Sequence, residues 1–359
     1  MKGTAADAFR AVLEGERIAV EFGRAAAQPE GGSTIALSDR VSLPVETAKR
    51  LVLALNEPLA RLSRLRPPGD PARGETPVNA PPDPAGQAAA LLLQLVGELG
   101  VPHQHERSFR VAAGALLANR FLLTLDARDI PGDPLARTLA ICDRLQMPAA
   151  LRAEAERRFA MARCVHFGFE AGPDSVVCKL YLEREVPAEE AARARAAHES
   201  VLLHLAFKWD QLSGQQVTTQ YLWYPAGRVE DIEARLAQVY RGGEPAASLE
   251  IARAALALAA GRASPEALQY LEVQEPENGR RSFDLNVYAA KLQVKDAQPL
   301  LARMRDRFGL RPGEFQALYD QIKARALGHL AGGVHRDGRD FFNVYYGVTG
   351  LPHFSARLA

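Results

Sequence analysis

Cysteine is scarce in this chain, net charge is almost nil and long apolar runs are missing, and each shortage closes off a class of protein. The three cysteines, Cys142, Cys164 and Cys178, are odd in number and show no CxxC spacing. That argues against a disulfide framework or a zinc site, and it fits a reducing cytoplasm. Lys and Arg number 44 against 43 Asp and Glu, a formal net charge of +1. Nothing in that balance asks for nucleic acid or an anionic membrane as partner, so any anion site must come from a few basic residues converging on one point. No apolar run reaches the roughly 18 residues of a membrane helix. The first residues, MKGTAADAFRAVLEGERIAVEF, carry charges throughout and lack the apolar stretch of a signal peptide. Histidines 103, 105 and 329 lack the spacing of a metal-ligand set, and Gly328, Gly332 and Gly333 are too scattered for a phosphate loop.

What is present is a chain of 359 residues, 47% hydrophobic and 24% charged. Those are globular proportions, and the length suits one large barrel. The first part differs from the rest. Residues 5–22 and 44–64 read as amphipathic helices, with Ser42 and Pro44 in place for a cap and a first-turn proline. The segment 67–84, PPGDPARGETPVNAPPDP, reads as a linker. Residues 1–85 are thus expected to form a helical extension, and 86–359 the main domain.

From about residue 104 strand pairs alternate with helical stretches. The pairs are HERSFRVA with NRFLLTLDA, CVHFGFEA with SVVCKLYLE, LAFKWDQL with TTQYLWYPA, ALQYLEVQE with RSFDLNVYAA, and LGHLAGGVH with DFFNVYYGV. Helices are expected at 86–100, 134–160, 187–204, 228–262 and 294–326. Gly172-Pro173-Asp174, Pro276-Glu277-Asn278-Gly279 and Asp337-Gly338 supply hairpin turns. Two strands per helix exclude a βαβ plan, and short links make each pair antiparallel. Closure of ten strands removes the edges of the sheet and leaves a cavity. The expected fold is α+β: a ten-stranded antiparallel barrel of αββα repeats surrounded by helices.

Alternation along the strands separates two faces. Cys178, Leu180 and Leu182 oppose Lys179, Tyr181 and Glu183; Phe283, Leu285 and Val287 oppose Ser282, Asp284, Asn286 and Tyr288; Glu106, Ser108 and Arg110 share a face. Lys208 and Asp210 oppose Phe207 and Trp209, Thr219, Tyr221 and Trp223 lie together, and Asn343 and Tyr345 share a face. The polar faces are either solvated, as on many antiparallel sheets, or turned into the lumen. Their content of Lys, Arg, Tyr, Trp and Asn favours a lumen suited to an anion with an apolar tail.

This arrangement resembles the ABBA prenyltransferases. The first hairpin is similar to that of the cyanobactin-type peptide prenyltransferases, in Glu106-Arg-Ser108-Phe-Arg110-Val111 followed by Ala118-Asn-Arg120-Phe121-Leu122-Leu123. Lys179-x-Tyr181 resembles the pair by which that fold holds pyrophosphate, and Asn286-Val-Tyr288 and Asn343-Val-Tyr345-Tyr346 resemble its tyrosine-bearing strands. The likeness spans about residues 88–350. The N-terminal part and the third hairpin, with Thr219, Tyr221 and Trp223 where a further basic residue is usual, depart from it.

The resemblance implies transfer of an isoprenyl group, dimethylallyl or longer, from an allylic pyrophosphate to an electron-rich side chain of a cyclic ribosomal peptide. Arg110, Arg120, Lys179, Tyr181, Lys208, Tyr288 and Tyr345 would hold the pyrophosphate. Tyr221, Trp223, Asn286 and His329 would shield the carbocation and form the acceptor pocket, and Glu106 would be the general base. The plainer reading makes the cations surface charges, the tyrosines ordinary strand aromatics and His329 structural. Mg²⁺ would arrive with the pyrophosphate, since no DDxxD element exists and Asp337-Gly-Arg-Asp340 reads as a turn. Two rivals remain: an ABBA enzyme acting on a small phenol or indole, and a non-catalytic barrel that binds a lipid or peptide. The assembly is expected to be a monomer or homodimer.

Overall fold

The fold is described from a computed structural model covering residues 8–14, 17–27, 33–44, 83–241, 246–275, 278, 280–335 and 337–350. The chain divides into two units, Met1–Ala80 and Pro81–Ala359.

The first unit contains a three-stranded antiparallel sheet of β1 (Ala8–Glu14), β2 (Arg17–Ala27) and β3 (Ser33–Pro44), with β2 in the middle. This corrects the helix expected over 5–22. The sequence there satisfies period two as well as period 3.6, because Ile18, Val20 and Phe22 alternate with Arg17, Ala19 and Glu21. Ser42 and Pro44 belong to β3. They pair with Ala19 and Arg17 of β2, and proline is tolerated at the end of an edge strand. The helix expected from 45 to 64 and the proline-rich segment up to residue 82 lie outside the described residues.

The second unit opens on α1 (Pro84–Glu98), where Asp83 caps Gly86 N–H at 3.1 Å and Pro84 takes the first helical position. The strands that follow are β4 (Gln104–Ala112), the short β5 (Ala115–Leu117), β6 (Arg120–Asp126), β7 (Cys164–Gly172), β8 (Ser175–Glu183), β9 (Val201–Asp210), β10 (Gln216–Tyr224), β11 (Gln269–Gln274), β12 (Arg281–Asn286), β13 (Leu327–Val334) and β14 (Asp340–Thr349). Apart from β5, which lies beside β4, ten strands pair antiparallel in the order β4-β6-β7-β8-β9-β10-β11-β12-β13-β14. The ring closes where β14 pairs with β4, with Asn343 opposite Arg110 and Tyr345 opposite Ser108. Between hairpins lie α2 (Pro134–Arg144), α3 (Ala149–Arg158), α4 (Ala188–Ala197), α5 (Val229–Val239), α6 (Ala246–Ala260), α7 (Gln298–Arg307) and α8 (Pro312–Ile322). This is the αββα barrel expected from the sequence, with eight α-helices among the described residues of this unit.

The apolar core lies between barrel and helices. Phe167, Phe169, Leu180, Leu182 and Phe207 pack on Leu92, Val96, Leu139 and Leu145 on one side. Phe109, Phe283, Leu285, Phe342 and Val344 pack on Ile232, Leu236, Leu301, Met304 and Phe315 on the other. Each such side chain stabilises the fold by about 1.5–3 kcal/mol on burial, which is why apolar faces point outward to the helices and polar faces inward.

Three expected boundaries shift. The helix over 187–204 ends at Ala197, where His198 adopts φ +54°, and β9 starts at Val201 in the β-favouring stretch that follows. The helix over 134–160 is two helices, separated by Gln146 at φ +61° and by Pro148. β12 stops at Asn286, whose side chain accepts Tyr288 N–H at 3.1 Å, so Tyr288 stands on a turn instead of a strand.

Trp209 ties β9 to the end of α2: its indole N–H donates to Leu145 C=O at 2.8 Å, and the ring is fully buried. Trp209→Ala is expected to destabilise the protein by about 3–5 kcal/mol and Trp209→Phe by about 1 kcal/mol, read from denaturant midpoints.

Candidate active site

Inward-facing residues recur every second position, so each strand crosses the lumen as a ladder of rungs. On β8 the rungs are Lys179, Tyr181 and Glu183; on β4 Arg110, Ser108 and Glu106; on β9 Lys208, Ala206 and His204; on β7 Glu170, Gly168 and His166. β8 and β9 meet rung for rung, whereas β7 is offset by one rung from β8, which puts His166 opposite Tyr181. Lys179 is paired with Lys208 and with Gly168, and Glu183 with His204. The lumen therefore divides into a cationic chamber of about 310 Å³ and a smaller one of about 100 Å³, with Tyr181, Tyr221, Asp284 and Tyr345 on both walls.

The cationic chamber brings together Arg110, Arg120, Lys179, Lys208 and Arg280. Glu170, directly opposite Arg120 on the neighbouring strand, is ion-paired to Arg120 and accepts from Lys179 Nζ at 2.6 Å. These cations hold the Glu170 carboxyl well below its usual range in spite of burial. Arg110 donates to Asn343 Oδ1 at 3.1 Å and lies 4.4 Å over the Phe341 ring. Arg280 pairs with Glu275 at 2.8 Å. Burial lowers Lys179 to about 8, with Glu170 opposing, and Arg110 to about 10. Burial, with Arg280 and Lys179 close by, holds Lys208 well below the ordinary lysine range.

Tyrosines separate the chambers. The Tyr181 and Tyr221 rings meet edge to face at 5.6 Å, and the Lys208 ammonium lies 5.5 Å from the Tyr221 centroid. Gly168 makes room for this layer: a Cβ there would press on Tyr181 and on the Lys179 stem. Burial raises the phenols of Tyr181 and Tyr345 and brings Tyr221 to about 12, so all three stay neutral.

The smaller chamber carries carboxylates and imidazoles. Glu106 is 5% exposed and accepts a hydrogen bond from Tyr288 Oη. Burial raises the Glu106 carboxyl, with His329 and the Tyr288 bond partly opposing. His329 Nδ1 lies 2.8 Å from Asp284 Oδ1. Burial alone would lower this imidazole, but the Asp284 carboxylate overrides it and lifts it to about 9. Glu183 is held at about 2 despite burial by His204 and His166.

No family model and no curated protein matches the sequence. Among solved structures the chain is similar to AnaPT from Neosartorya fischeri, at 13% identity over 71% of this chain and 80% of that one, TM-score 0.44. It is similar to the NotF prenyltransferase at 14% identity over 69% and 80%, TM-score 0.48. A structure of NotF in complex with brevianamide F and DMSPP gives 14% identity over 71% and 81%, TM-score 0.41. Likeness at this level assigns no activity to the chain, and the chemistry has to be read from its own lumen.

Of the residues singled out from the sequence, Arg110, Arg120, Lys179 and Lys208 line the cationic chamber, and Glu106, Asn286, Tyr288 and His329 the other, with Tyr181, Tyr221 and Tyr345 between. Two placements differ from the expectation: Tyr288, expected among the pyrophosphate-binding residues, stands beside Glu106 in the smaller chamber, and Trp223 is the other. It lines neither chamber and is buried with Val186, Leu203 and Leu271 in an apolar cluster that adjoins the smaller chamber through Leu271. Sequence reasoning passed over Arg280, Glu170, His166 and His204. The inward period marks the last three, whereas Arg280 stands just before β12 and gives no periodic signal.

Gly328 on β13 is a packing requirement of the site. A Cβ there would collide with Glu106 Oε1 and Tyr288 Oη. Gly328→Ala is expected to displace that pair and to lower the affinity or turnover of whatever the lumen binds by at least about tenfold, with far-UV circular dichroism unchanged.

Proposed function

We propose that this chain is a prenyltransferase that moves an isoprenyl group from an allylic diphosphate to an electron-rich acceptor. The observation that carries the reading is charge. Five cations line the larger chamber with the carboxylates Glu170, Asp210, Glu275 and Asp284, and Asp284 is paired to His329, so with every lysine protonated positive charge remains in surplus. An alkyl diphosphate carries about three negative charges near neutral pH. The burial of these cations, together with the buried Glu106, favours an enzyme over a carrier whose charges would face solvent.

In this mechanism the allylic C–O bond breaks and its electron pair leaves with the diphosphate, stabilised by Arg110, Arg120, Lys179, Lys208 and Arg280. The allyl cation is met by the faces of Tyr181, Tyr221 and Tyr345, whose rings attract positive charge and exclude water. The acceptor in the smaller chamber forms the new bond, and Glu106 takes its proton. A carboxyl raised by burial is a stronger base than an exposed glutamate. Tyr288 and the Asp284–His329 pair fix its orientation. Mg²⁺ fits only as a companion of the substrate: Glu170 and Glu275 are engaged by basic side chains, so phosphate oxygens would hold it and neutralise part of the leaving charge.

The acceptor we favour is a side chain of a peptide, because Glu106, Ser108 and Arg110, the residues that carry the peptide-enzyme resemblance, all belong to the inward ladder, with Ser108 3.4 Å from Arg120 Nε. A small phenol or indole is the second reading, favoured by a chamber of about 100 Å³ that suits a single ring.

Incubation with dimethylallyl diphosphate and Tyr- or Trp-containing cyclic peptides, or with free phenols and indoles, is expected to add one isoprenyl mass to one of the two classes. No mass gain with any of them, at saturating diphosphate, removes the proposal. Glu106→Gln is expected to lower turnover by about 10²–10⁴-fold while a prenyl thiodiphosphate still binds. Because the Glu106 carboxyl is raised, the basic form accumulates as pH rises, so kcat/KM should climb through a midpoint above that of an ordinary glutamate, and the limb should vanish in the variant. Binding of the thiodiphosphate should restore the Lys208 proton and therefore take up protons, seen by calorimetry in buffers of different ionisation enthalpy. Lys208→Met should reduce that uptake to the part due to Lys179.

A further inference from the structure

We infer that His166, Glu183 and His204 form a binding site for a divalent transition-metal ion in the wall of the smaller chamber. The three residues stand on adjacent strands β7, β8 and β9. Glu183 is directly opposite His204 and diagonal to His166. One ligand atom from each lies within 4.8 Å of the others. His166 Nε2 is 2.9 Å and His204 Nδ1 3.4 Å from the same oxygen, Glu183 Oε2. Ligand atoms about 2.0–2.2 Å from a common tetrahedral zinc-like centre stand at comparable separations from one another, so small side-chain rotations suffice.

Two further observations point to an ion. His204 Nδ1 is buried and has no hydrogen-bond partner among the described residues, a lone pair or proton facing a carboxylate without a bond. A coordinated metal would satisfy it. On the far side of His166, Thr124 Oγ1 lies 2.8 Å from Nδ1. A hydroxyl both donates and accepts, so it holds the ring in either tautomer. With Nε2–H directed at Glu183 the hydroxyl donates to Nδ1; with Nε2 on a metal it accepts from Nδ1–H. This is the outer support that metal-bound histidines use.

Two imidazoles and one carboxylate suit Zn²⁺, Co²⁺ or Fe²⁺ and discriminate against Mg²⁺, which prefers oxygen. Three protein ligands leave a four-coordinate ion one position short. Glu106, Tyr288 and Tyr221 line the same chamber, so the class of molecule that completes the site is a donor of an oxygen, nitrogen or sulfur lone pair lodged beside them. The inference does not depend on prenyl transfer, since metal binding is measured without any substrate.

The test is titration of the metal-stripped full chain with Co²⁺, followed by visible absorption, and with Zn²⁺ and Mg²⁺ by calorimetry. One equivalent of Co²⁺ should give the ligand-field bands of a four- or five-coordinate N/O site, Zn²⁺ should displace it, and Mg²⁺ should not. His204→Ala should abolish the bands, and Glu183→Gln serves if that variant does not fold. Thr124→Val should weaken Co²⁺ about 10–100-fold, with an unchanged circular dichroism spectrum. Absence of the bands in the parent chain, or bands of equal strength in His204→Ala or Glu183→Gln, overturns the inference.

Discussion

Pairing of β14 with β4 brings Asn343 opposite Arg110 and leaves the main sheet without an edge between its first and last strands. In an open sheet the ladder Lys179, Tyr181, Glu183 would be a solvated face, and its charges would be worth little. Once the ring closes, the same residues look into a space walled off from bulk water, where electrostatic interactions strengthen and unpaired charge becomes costly. The helices enforce the choice of face. With Leu180, Leu182, Phe283 and Leu285 covered from outside, a one-residue slip of any strand would exchange its apolar and polar faces, so register is strongly specified.

Register also sorts the lumen by height. Along β4, β8 and β9 the outer rung is basic and the inner rung acidic or imidazole: Arg110 to Glu106, Lys179 to Glu183, Lys208 to His204. Pairing of β8 with β9 sets Lys179 beside Lys208 and Glu183 beside His204, and β4 repeats the same order across the lumen, so separate alternations become two chambers of opposite chemistry. Small residues flank the middle rung, with Tyr181 opposite Ala206 and against Gly168 and Tyr345 opposite Ser108, which lets flat rings lie between the cations and the carboxylates.

That layering explains how much could be read from the chain alone. Period two within a strand is local, so the inward faces of β4, β8 and β12 are legible, as are the hairpins and the helical cover. What depends on neighbours is not. Trp223 shares a face with Tyr221 by counting, but Val186, Leu203 and Leu271 close around it in an apolar cluster, which depends on neighbouring strands. His166 and His204 are unremarkable singly and meet only because Glu183 stands between them on β8. Arg280 reaches the cationic chamber from a turn, where no period exists. At the N-terminus an amphipathic stretch that satisfies two periods at once gives no decision, and the strand pairing from Arg17–Pro44 to Ala27–Ser33 settles it.

A lumen with surplus positive charge is an unfavourable place for that charge when nothing negative is bound. The depressed Lys208 and Lys179 are the direct expression of this cost, since burial and neighbouring cations push protons off. Glu170 offsets part of it, but one carboxylate shared by Arg120 and Lys179 leaves Arg110 and Lys208 without an ion pair of their own among the described residues. A bound anion would relieve the imbalance without moving the barrel, because the cations are already fixed by strand register and by contacts to Asn343, Phe341 and Tyr221. Such preorganisation acts most strongly on the species with the most concentrated negative charge. For an allylic diphosphate that species is the departing diphosphate, so the same array that holds the substrate holds the leaving group more tightly still.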